Sequence, residues 1–365
     1  LEGRAAIWYD FGVLRLDAAL PFKDCAMDNN STIDFGDPEK EYQQARAGAA
    51  LFDVSPRGKV EVVGSDAVAF LHNLVSNDIK GLAPGAGCEA FLCTVKAKVI
   101  AWAHVFRETP SGKREKLWLD LDPGLSEKVL QHLDHHLISE DVQLADRTGD
   151  FTQLHLAGPQ AGAVLAGVAG ADPGLAPVQH RIVTIEDGRH IPLRRRDALG
   201  LPGYDLLCAP DRTTELWRLL TDAGARPAGT QALETLRVEA GTPLYGVDVD
   251  ENTFAPEVGR TRQAISYAKG CYLGQEPIVM ARDRGQVNRT LLGVKLPGGV
   301  VPRGSLLYRD GKEVGRVTSS AQSPRLGTAI GLAYVRRGNQ EPGTRLEVDA
   351  AGERRPAEVA ELPFR

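Results

Sequence analysis

The sequence predicts an α+β fold that becomes all-β over its last quarter. Three observations carry that prediction. At 365 residues the chain exceeds the size at which a single hydrophobic core stops growing, so two or three domains are expected. Up to about residue 240, segments with helical period alternate with segments of strand period. Beyond Val287, short strands recur between turn signals, the pattern of a small closed β-barrel.

In chain order, residues 39–50 read as a helix leading into Leu51-Phe52-Asp53. Lys59-Val60-Glu61-Val62-Val63 alternates apolar and polar positions, a strand period. Asp66 is placed to cap a helix running to Leu74, with Val68, Leu71 and Leu74 on one face. Residues 91–106 read as a hairpin and 117–121 as a strand. Residues 125–137 read as an amphipathic helix with Leu125, Val129, Leu133 and Leu137 four apart. His132 and His136 on that helix have chelating spacing, but no third ligand accompanies them, so they read as a solvated face.

A second series follows, with helices over 159–168 and 212–220 and strands over 182–185 and 204–207. Between them, Arg194-Arg195-Arg196 reads as a solvated strand end rather than a nucleic-acid patch. A helix over 232–240 stops at Gly241. Strands over 291–296, 305–308, 314–317 and 329–335 build the barrel, with Pro297-Gly298-Gly299 as a hairpin turn.

Composition narrows the function. With 42% hydrophobic and 25% charged residues, this is an ordinary globular composition. A net charge of -5 argues against nucleic-acid binding by bulk electrostatics. Locally the balance inverts. Between Glu257 and Lys295, Arg260, Arg262, Lys269, Arg282, Arg284, Arg289 and Lys295 outnumber Glu257, Glu276 and Asp283, a field that suits a small anionic ligand. The five cysteines, Cys25, Cys88, Cys93, Cys208 and Cys271, form no C-x-x-C pair. That pattern predicts neither disulfide framework nor metal site, and a reducing cytoplasm as the compartment. No run approaches the ~20 apolar residues needed to span a bilayer. Residues 1–26, which precede Met27, read as a doubtful N-terminal extension.

The most informative stretch is Lys269-Gly270-Cys271-Tyr272-Leu273-Gly274-Gln275-Glu276. A cation beside a thiol favours the reactive thiolate. Gly270 and Gly274 permit backbone angles closed to other residues, as a loop presenting one side chain requires. Gln275 and Glu276 can hydrogen-bond the loop or a partner. The competing reading is a turn with a buried, inert cysteine.

That octapeptide resembles the signature of the YgfZ group, folate-binding proteins related to the T-protein (aminomethyltransferase) of the glycine cleavage system. Further matches run along most of the chain: Ala50-Leu51-Phe52-Asp53-Val54-Ser55-Pro56-Arg57-Gly58-Lys59, Ser76-Asn77-Asp78, Leu236-Arg237-Val238-Glu239-Ala240-Gly241, and Gly315-Arg316-Val317-Thr318-Ser319. The resemblance implies a three-domain ring around a central folate pocket. Two α+β domains, residues 27–147 and 148–290, interleave in sequence, and residues 291–365 form a C-terminal β-barrel. It implies tetrahydrofolate or a derivative as cofactor. Gly203-Tyr204-Asp205 stands where a Gly-Tyr-Glu motif binds the pterin, so Tyr204 and Asp205 are its expected anchors, with Arg237 on a folate carboxylate or tying Glu239 to its surroundings. Where the T-protein carries its catalytic carboxylates, this chain has Ala101 and Trp102, which cannot take a proton.

The function so implied is a folate-binding accessory protein that supports assembly or repair of iron–sulfur clusters in other enzymes, tRNA-modifying ones included. Cys271 and Lys269 would carry it, with Gly270, Gly274, Gln275 and Glu276 shaping the loop. Its partners would be iron–sulfur enzymes or cluster carriers and small-molecule folate, with no direct nucleic acid and no membrane, and the protein would be a cytoplasmic monomer. One cysteine cannot hold a conventional cluster, which takes four protein ligands, so Cys271 would act as a transient ligand, a nucleophile or a redox thiol. The alternatives are an aminomethyltransferase-type enzyme with a relocated catalytic group, and a folate-binding scaffold without chemistry.

Overall fold

The computed structural model describes residues 13–15 and 32–365 except 187 and 286, with side chains from Phe35 onward. The expectation for residues 1–26 and for Cys25 therefore falls almost wholly outside the described residues.

The first strands, β1 (Val13–Arg15) and β2 (Thr32–Asp34), form a short parallel pair. Helix α1 (Pro38–Ala47) is capped by Asp37, whose carboxylate accepts from the Lys40 amide. It leads into β3 (Ala50–Asp53), so the Leu51-Phe52-Asp53 motif is itself a strand. There follow β4 (Gly58–Gly64), α2 (Ala67–Leu74), β5 (Gly87–Cys93), β6 (Val99–Arg107), β7 (Glu115–Leu121), α3 (Ser126–His135) and β8 (Gln143–Asp146). Asp66 sits at the N-cap of α2 without capping it; its carboxylate accepts from the Asp141 amide instead.

The chain then makes β9 (Thr152–Ala157), α4 (Ala161–Ala169), β10 (His180–Thr184), β11 (His190–Arg195), β12 (Gly203–Cys208), α5 (Thr213–Asp222), β13 (Arg226–Pro227) and α6 (Thr230–Ala240). Two short helices, α7 (Thr261–Ala264) and α8 (Gln275–Arg284), precede the barrel strands β14 (Arg289–Leu296), β15 (Leu306–Arg309), β16 (Lys312–Ser323), β17 (Thr328–Arg336), β18 (Arg345–Ala350) and β19 (Glu353–Ala360).

Strand order shows how the two sheets interleave. One runs β5-β6-β7-β4-β8, the other β10-β11-β12-β9-β3-β13. The chain enters the second sheet at β3, leaves to build all of the first, and returns at β9, which pairs antiparallel with β3. Helices α2 and α3 bury Phe70, Leu71, Val129 and Leu133 against one face of the first sheet. Helices α4 and α5 bury Val164, Leu165, Leu216 and Trp217 against the second. Strand β6 is buried from Val99 to Phe106, and apolar there apart from His104, because both of its faces are covered, one by the helices and the other by residues 249–278 and the second sheet.

The last six strands close into a barrel in the order β14-β17-β16-β15-β18-β19, filled by Val294, Leu307, Val317, Val335, Val348 and Val359. Strands β18 and β19 were not anticipated; β18 alternates charged and apolar residues, while Arg354, Arg355 and Pro356 interrupt the alternation of β19. Gly299 does turn back onto the Leu296 carbonyl at 2.9 Å, but β14 pairs with β17 and β19, so this turn joins no hairpin. No helix among the described residues is long and apolar enough to cross a membrane.

Candidate functional site

The loop of residues 266–274 is built by contacts with the first sheet's domain. The Ser266 amide donates to the Ser76 carbonyl at 3.0 Å, and Ser76 Oγ donates to the Ala264 carbonyl at 2.5 Å. Asn77 Nδ2 donates to the Gln263 carbonyl at 2.8 Å, and the Leu273 amide to the Asn73 carbonyl at 3.0 Å. Ser76-Asn77-Asp78, read in sequence only as a family motif, therefore anchors the cysteine loop.

Lys269 completes the anchor. Its buried ammonium donates to the carbonyls of His72, Val75 and Asn77, and lies 4.7 Å from the centre of the Tyr272 ring. Three carbonyls engage all three ammonium hydrogens. No donor is left for the Cys271 sulfur, and the ammonium clamps the loop to the first sheet's domain. Burial pushes Lys269 down to about 8, against the opposing pull of Asp78.

The two glycines also differ. Gly274 has φ +83°, and a Cβ there would lie 2.6 Å from the Thr94 carbonyl oxygen, so this position demands glycine. Gly270 has neither a positive φ nor a neighbour within reach of a Cβ, which corrects its expected role. Gly274 is the N-cap of α8, so Gln275 and Glu276 are helical rather than loop residues. Gln275 Nε2 reaches the Gly270 carbonyl at a long 3.4 Å, and Glu276 is exposed in the first turn, where the helix dipole favours an anion. Cys271 is exposed. Burial pushes the Cys88 and Cys93 thiols up to about 12, and that of Cys208 also upward; Cys88 is half-buried and Cys93 and Cys208 are buried, so Cys271 is the most exposed thiol among the described residues.

A second polar cluster lies where the two sheets meet. Alternation on β11 points Arg194 inward and Arg195 outward, and Arg196 just beyond the strand turns inward again. The basic run is thus largely buried, contrary to its reading as a solvated strand end. Arg196 holds both oxygens of Asp205, at 2.5 and 3.0 Å, and His155 Nδ1 lies 2.8 Å from the same carboxylate. Arg57 pairs with Asp120 at 2.5 Å and with Asp122 at 2.8 Å, and Gln153 Nε2 donates to Asp120 at 2.7 Å. Arg194 packs over the rings of Phe106 and Trp118, at 4.9 and 5.5 Å. Burial raises the Asp120 carboxyl, but Arg57 and Arg196 outweigh it and hold it at about 2. Burial likewise opposes Asp205, and Arg196 with His155 holds it well below the usual carboxylate range.

The expected folate anchors are therefore occupied by the chain's own groups. Asp205 accepts three hydrogen bonds. The Tyr204 hydroxyl accepts from Arg195 Nη1 at 2.5 Å. Arg237 donates to Glu234, to the Thr242 carbonyl at 3.1 Å, to Asp248 at 2.8 Å and to Ser319 at 2.7 Å, which engages its whole guanidinium. In this arrangement Arg237 does not fit a folate carboxylate, nor does it contact Glu239, which instead bonds Tyr42, Ser323 and Arg325. Arg237 docks the barrel: a β-bulge between Val317 and Ser319 turns both Thr318 and Ser319 onto Asp248 Oδ1, at 2.5 and 2.7 Å. Unsatisfied polar atoms remain nearby in Gln153 Oε1 and His155 Nε2.

Ala101 and Trp102, expected at the positions of the catalytic carboxylates, face opposite ways. Ala101 belongs to the core under α2 and α3, whereas Trp102 faces residues 249–278, with the Arg260 guanidinium 5.0 Å from its ring. Arg260 in turn forks onto Glu89, its Nε donating at 2.7 Å. His104 lies on the Trp102 face, its ring 5.3 Å away. Burial pushes the His104 imidazole down to about 4, although Glu89 opposes the shift. In the unfolded chain this ring takes its proton near 6.5, so stability is complete above that pH and falls as pH drops from 6.5 towards 4. His104→Asn is expected to remove about 3 kcal/mol of that acid sensitivity. Urea midpoints at pH 7 and pH 4.5 would measure it, and equal slopes for both proteins would contradict it.

The architecture has known counterparts. Residues 7–265 match the GCVT N-terminal domain family, and residues 289–365 the glycine cleavage T-protein C-terminal barrel domain family. The chain belongs to the glycine cleavage T-protein family. An aminomethyltransferase of Rubrobacter xylanophilus is 32% identical over 91% of this chain and 87% of its own length. One of Bacillus subtilis is 30% identical over 91% and 94%. The crystal structure of glycine cleavage system aminomethyltransferase T from Bartonella henselae superposes with a TM-score of 0.81 at 24% identity, covering 90% of this chain and 89% of that one. This agreement shows the T-protein fold, two interleaved sheets followed by a six-stranded barrel. Among the described residues no group of three or more His, Cys, Asp or Glu side chains is placed to hold a metal ion.

Proposed function

We propose that this T-protein family member is of the YgfZ type: a folate-dependent accessory protein supporting assembly or repair of iron–sulfur clusters in other enzymes, tRNA-modifying ones among them. The observation that carries the reading is the exposed Cys271 on a loop clamped by Lys269 and Gly274, while Ala101 and Trp102 occupy the positions of the catalytic carboxylates. An exposed thiol held at a fixed site on the first sheet's domain suits transient chemistry on a partner: brief ligation during cluster handover, nucleophilic attack, or redox exchange. Client enzymes or cluster carriers would be the partners of a cytoplasmic monomer.

Tetrahydrofolate or a derivative enters through family membership. Tyr204 and Asp205 stand at the matching motif, and ligand binding there requires Arg196 to yield its hold on Asp205. Calorimetry with tetrahydrofolate tests this part of the reading. The deciding experiment is complementation of a deletion strain with wild type or Cys271→Ala, read as activity of cluster-dependent enzymes. Full activity with Cys271→Ala would sink the proposal.

A second reading, aminomethyl transfer to tetrahydrofolate, is favoured by the name that the relatives at about 30% identity carry. Against it stands the absence of a carboxylate at positions 101 and 102, the group that would handle the amine proton. Formation of methylenetetrahydrofolate from an aminomethyl-lipoyl donor at enzymic rates would establish this second reading.

A further inference from the structure

We propose that the surface around Cys271 is a docking site for an acidic protein segment that carries an apolar side chain beside its carboxylates. The inference rests on the proposed role of Cys271 and adds the kind of partner surface that meets it. Three large apolar side chains stay exposed around this loop: Val95 at 68%, Met280 at 40% and Tyr267 at 36%. Gly274 packs against Thr94 and Ala97, which brings the turn bearing Val95 and Lys96 beside the loop. Tyr267 is held against the end of α8 by Arg282, 4.8 Å from its ring. Met280 and Arg284 lie one helical turn apart on α8 and share a face.

The charges on this surface divide into two kinds. Arg260, Arg282 and Arg289 are paired with Glu89, Asp283 and Glu257. Lys96, Arg262 and Arg284 are exposed and have no carboxylate partner among the described residues. In a chain of net charge -5 these are unpaired cations in the same region as the exposed apolar side chains. Apolar side chains such as Met and Tyr at the centre with charge at the rim are the anatomy of a protein–protein interface. A nucleic-acid interface is far more uniformly positive, whereas here the exposed Glu276, five residues from Cys271, interrupts the cations. The occupant is therefore a carboxylate-bearing protein segment. Its approach is steered by the free cations, and its apolar side chain covers Met280 and Val95.

The test uses the full chain and two synthetic cysteine peptides activated as mixed disulfides with thionitrobenzoate, one with leucine among aspartates and the other with leucine among lysines. The Cys271 thiolate attacks the peptide sulfur, a Cys271–peptide disulfide forms, and thionitrobenzoate leaves with the electron pair and is read by absorbance. At low salt the acidic peptide is expected to react about tenfold faster than the basic one, and high salt should erase most of that difference. Arg262→Glu with Arg284→Glu should reverse the preference, and replacing leucine by serine in the acidic peptide should slow it. An unchanged rate with a small neutral disulfide, together with an unchanged melting curve, shows the variant folded and its thiol intact. Equal rates for the two peptides would overturn the proposal, as would a preference that survives charge reversal, or stronger protection of Cys271 by a single-stranded RNA oligonucleotide than by a cysteine-free acidic peptide. A lost preference with Cys271 still required in cells removes only the docking site. A retained preference with full rescue by Cys271→Ala removes only the proposed function.

Discussion

Asp205→Ala is expected to destabilise the fold by about 3–5 kcal/mol, the cost of leaving a buried charge without its partner. Asp205 is wholly buried, and its carboxylate is shared by Arg196 and His155. Removing it strands the Arg196 guanidinium and leaves His155 Nδ1 unpaired, while Arg57 and Arg194 add like charge close by. Replacing both partners, as in Asp205→Leu with Arg196→Met, should recover much of the loss, because the desolvation penalty then disappears with the pair. Urea unfolding midpoints of the three proteins would measure it. A loss below about 1 kcal/mol for Asp205→Ala, accompanied by weaker tetrahydrofolate binding, would return Asp205 to the role of a ligand anchor.

Cys271→Ser should be nearly silent in stability and severe in cells. The side chain is exposed, and substitutions away from core, caps and networks usually change stability by no more than about 0.5 kcal/mol. Serine keeps the size and some of the polarity but cannot supply a thiolate at neutral pH. The variant is therefore expected to fold normally and fail to support cluster-dependent enzymes in a deletion strain. In the wild type, Cys271 should alkylate before the half-buried Cys88 and the buried Cys93, both of whose thiols desolvation pushes up to about 12. Lys269→Met supplies the contrast. It removes the tie between the loop and three carbonyls and leaves those acceptors unpaired, so it should destabilise the loop itself, by about 1–3 kcal/mol. Full rescue by Cys271→Ser, or a Cys271 that resists alkylation until the protein unfolds, would leave this loop a structural role only.

Much of the architecture was legible because periodicity is a local property. The strand over Gly58–Gly64, the helices over Ala67–Leu74 and Ser126–His135, and the left-handed cap at Gly241 all follow from patterns within one element. Strand β3 and the barrel's last two strands escaped that reading. Two are short or broken by charge, and they become strands because neighbours elsewhere in the chain offer them hydrogen bonds. Helix α8 was hidden for a different reason. Its first residues lie in a motif that reads as a loop, and its helical start depends on Gly274 tucked against Thr94.

By itself the sequence determined the family, the order of its parts and the position of the Cys271 motif, since each is carried by residue types at fixed spacing. Tertiary structure decided what the charged residues do. Lys269 lies beside Cys271 in the chain, yet its ammonium is coordinated by carbonyls from residues 72–77. Arg194 and Arg196 read as surface and prove to be buried, because β11 is covered by the first sheet. Arg237 matches a family arginine, but its donors go to Glu234, Thr242 and Asp248 and to Ser319, 82 residues away at a β-bulge of the barrel. A long cationic side chain can reach several angstroms in any direction, and its partner is whichever acceptor the fold delivers. Sequence spacing says nothing about that choice until the sheets are packed.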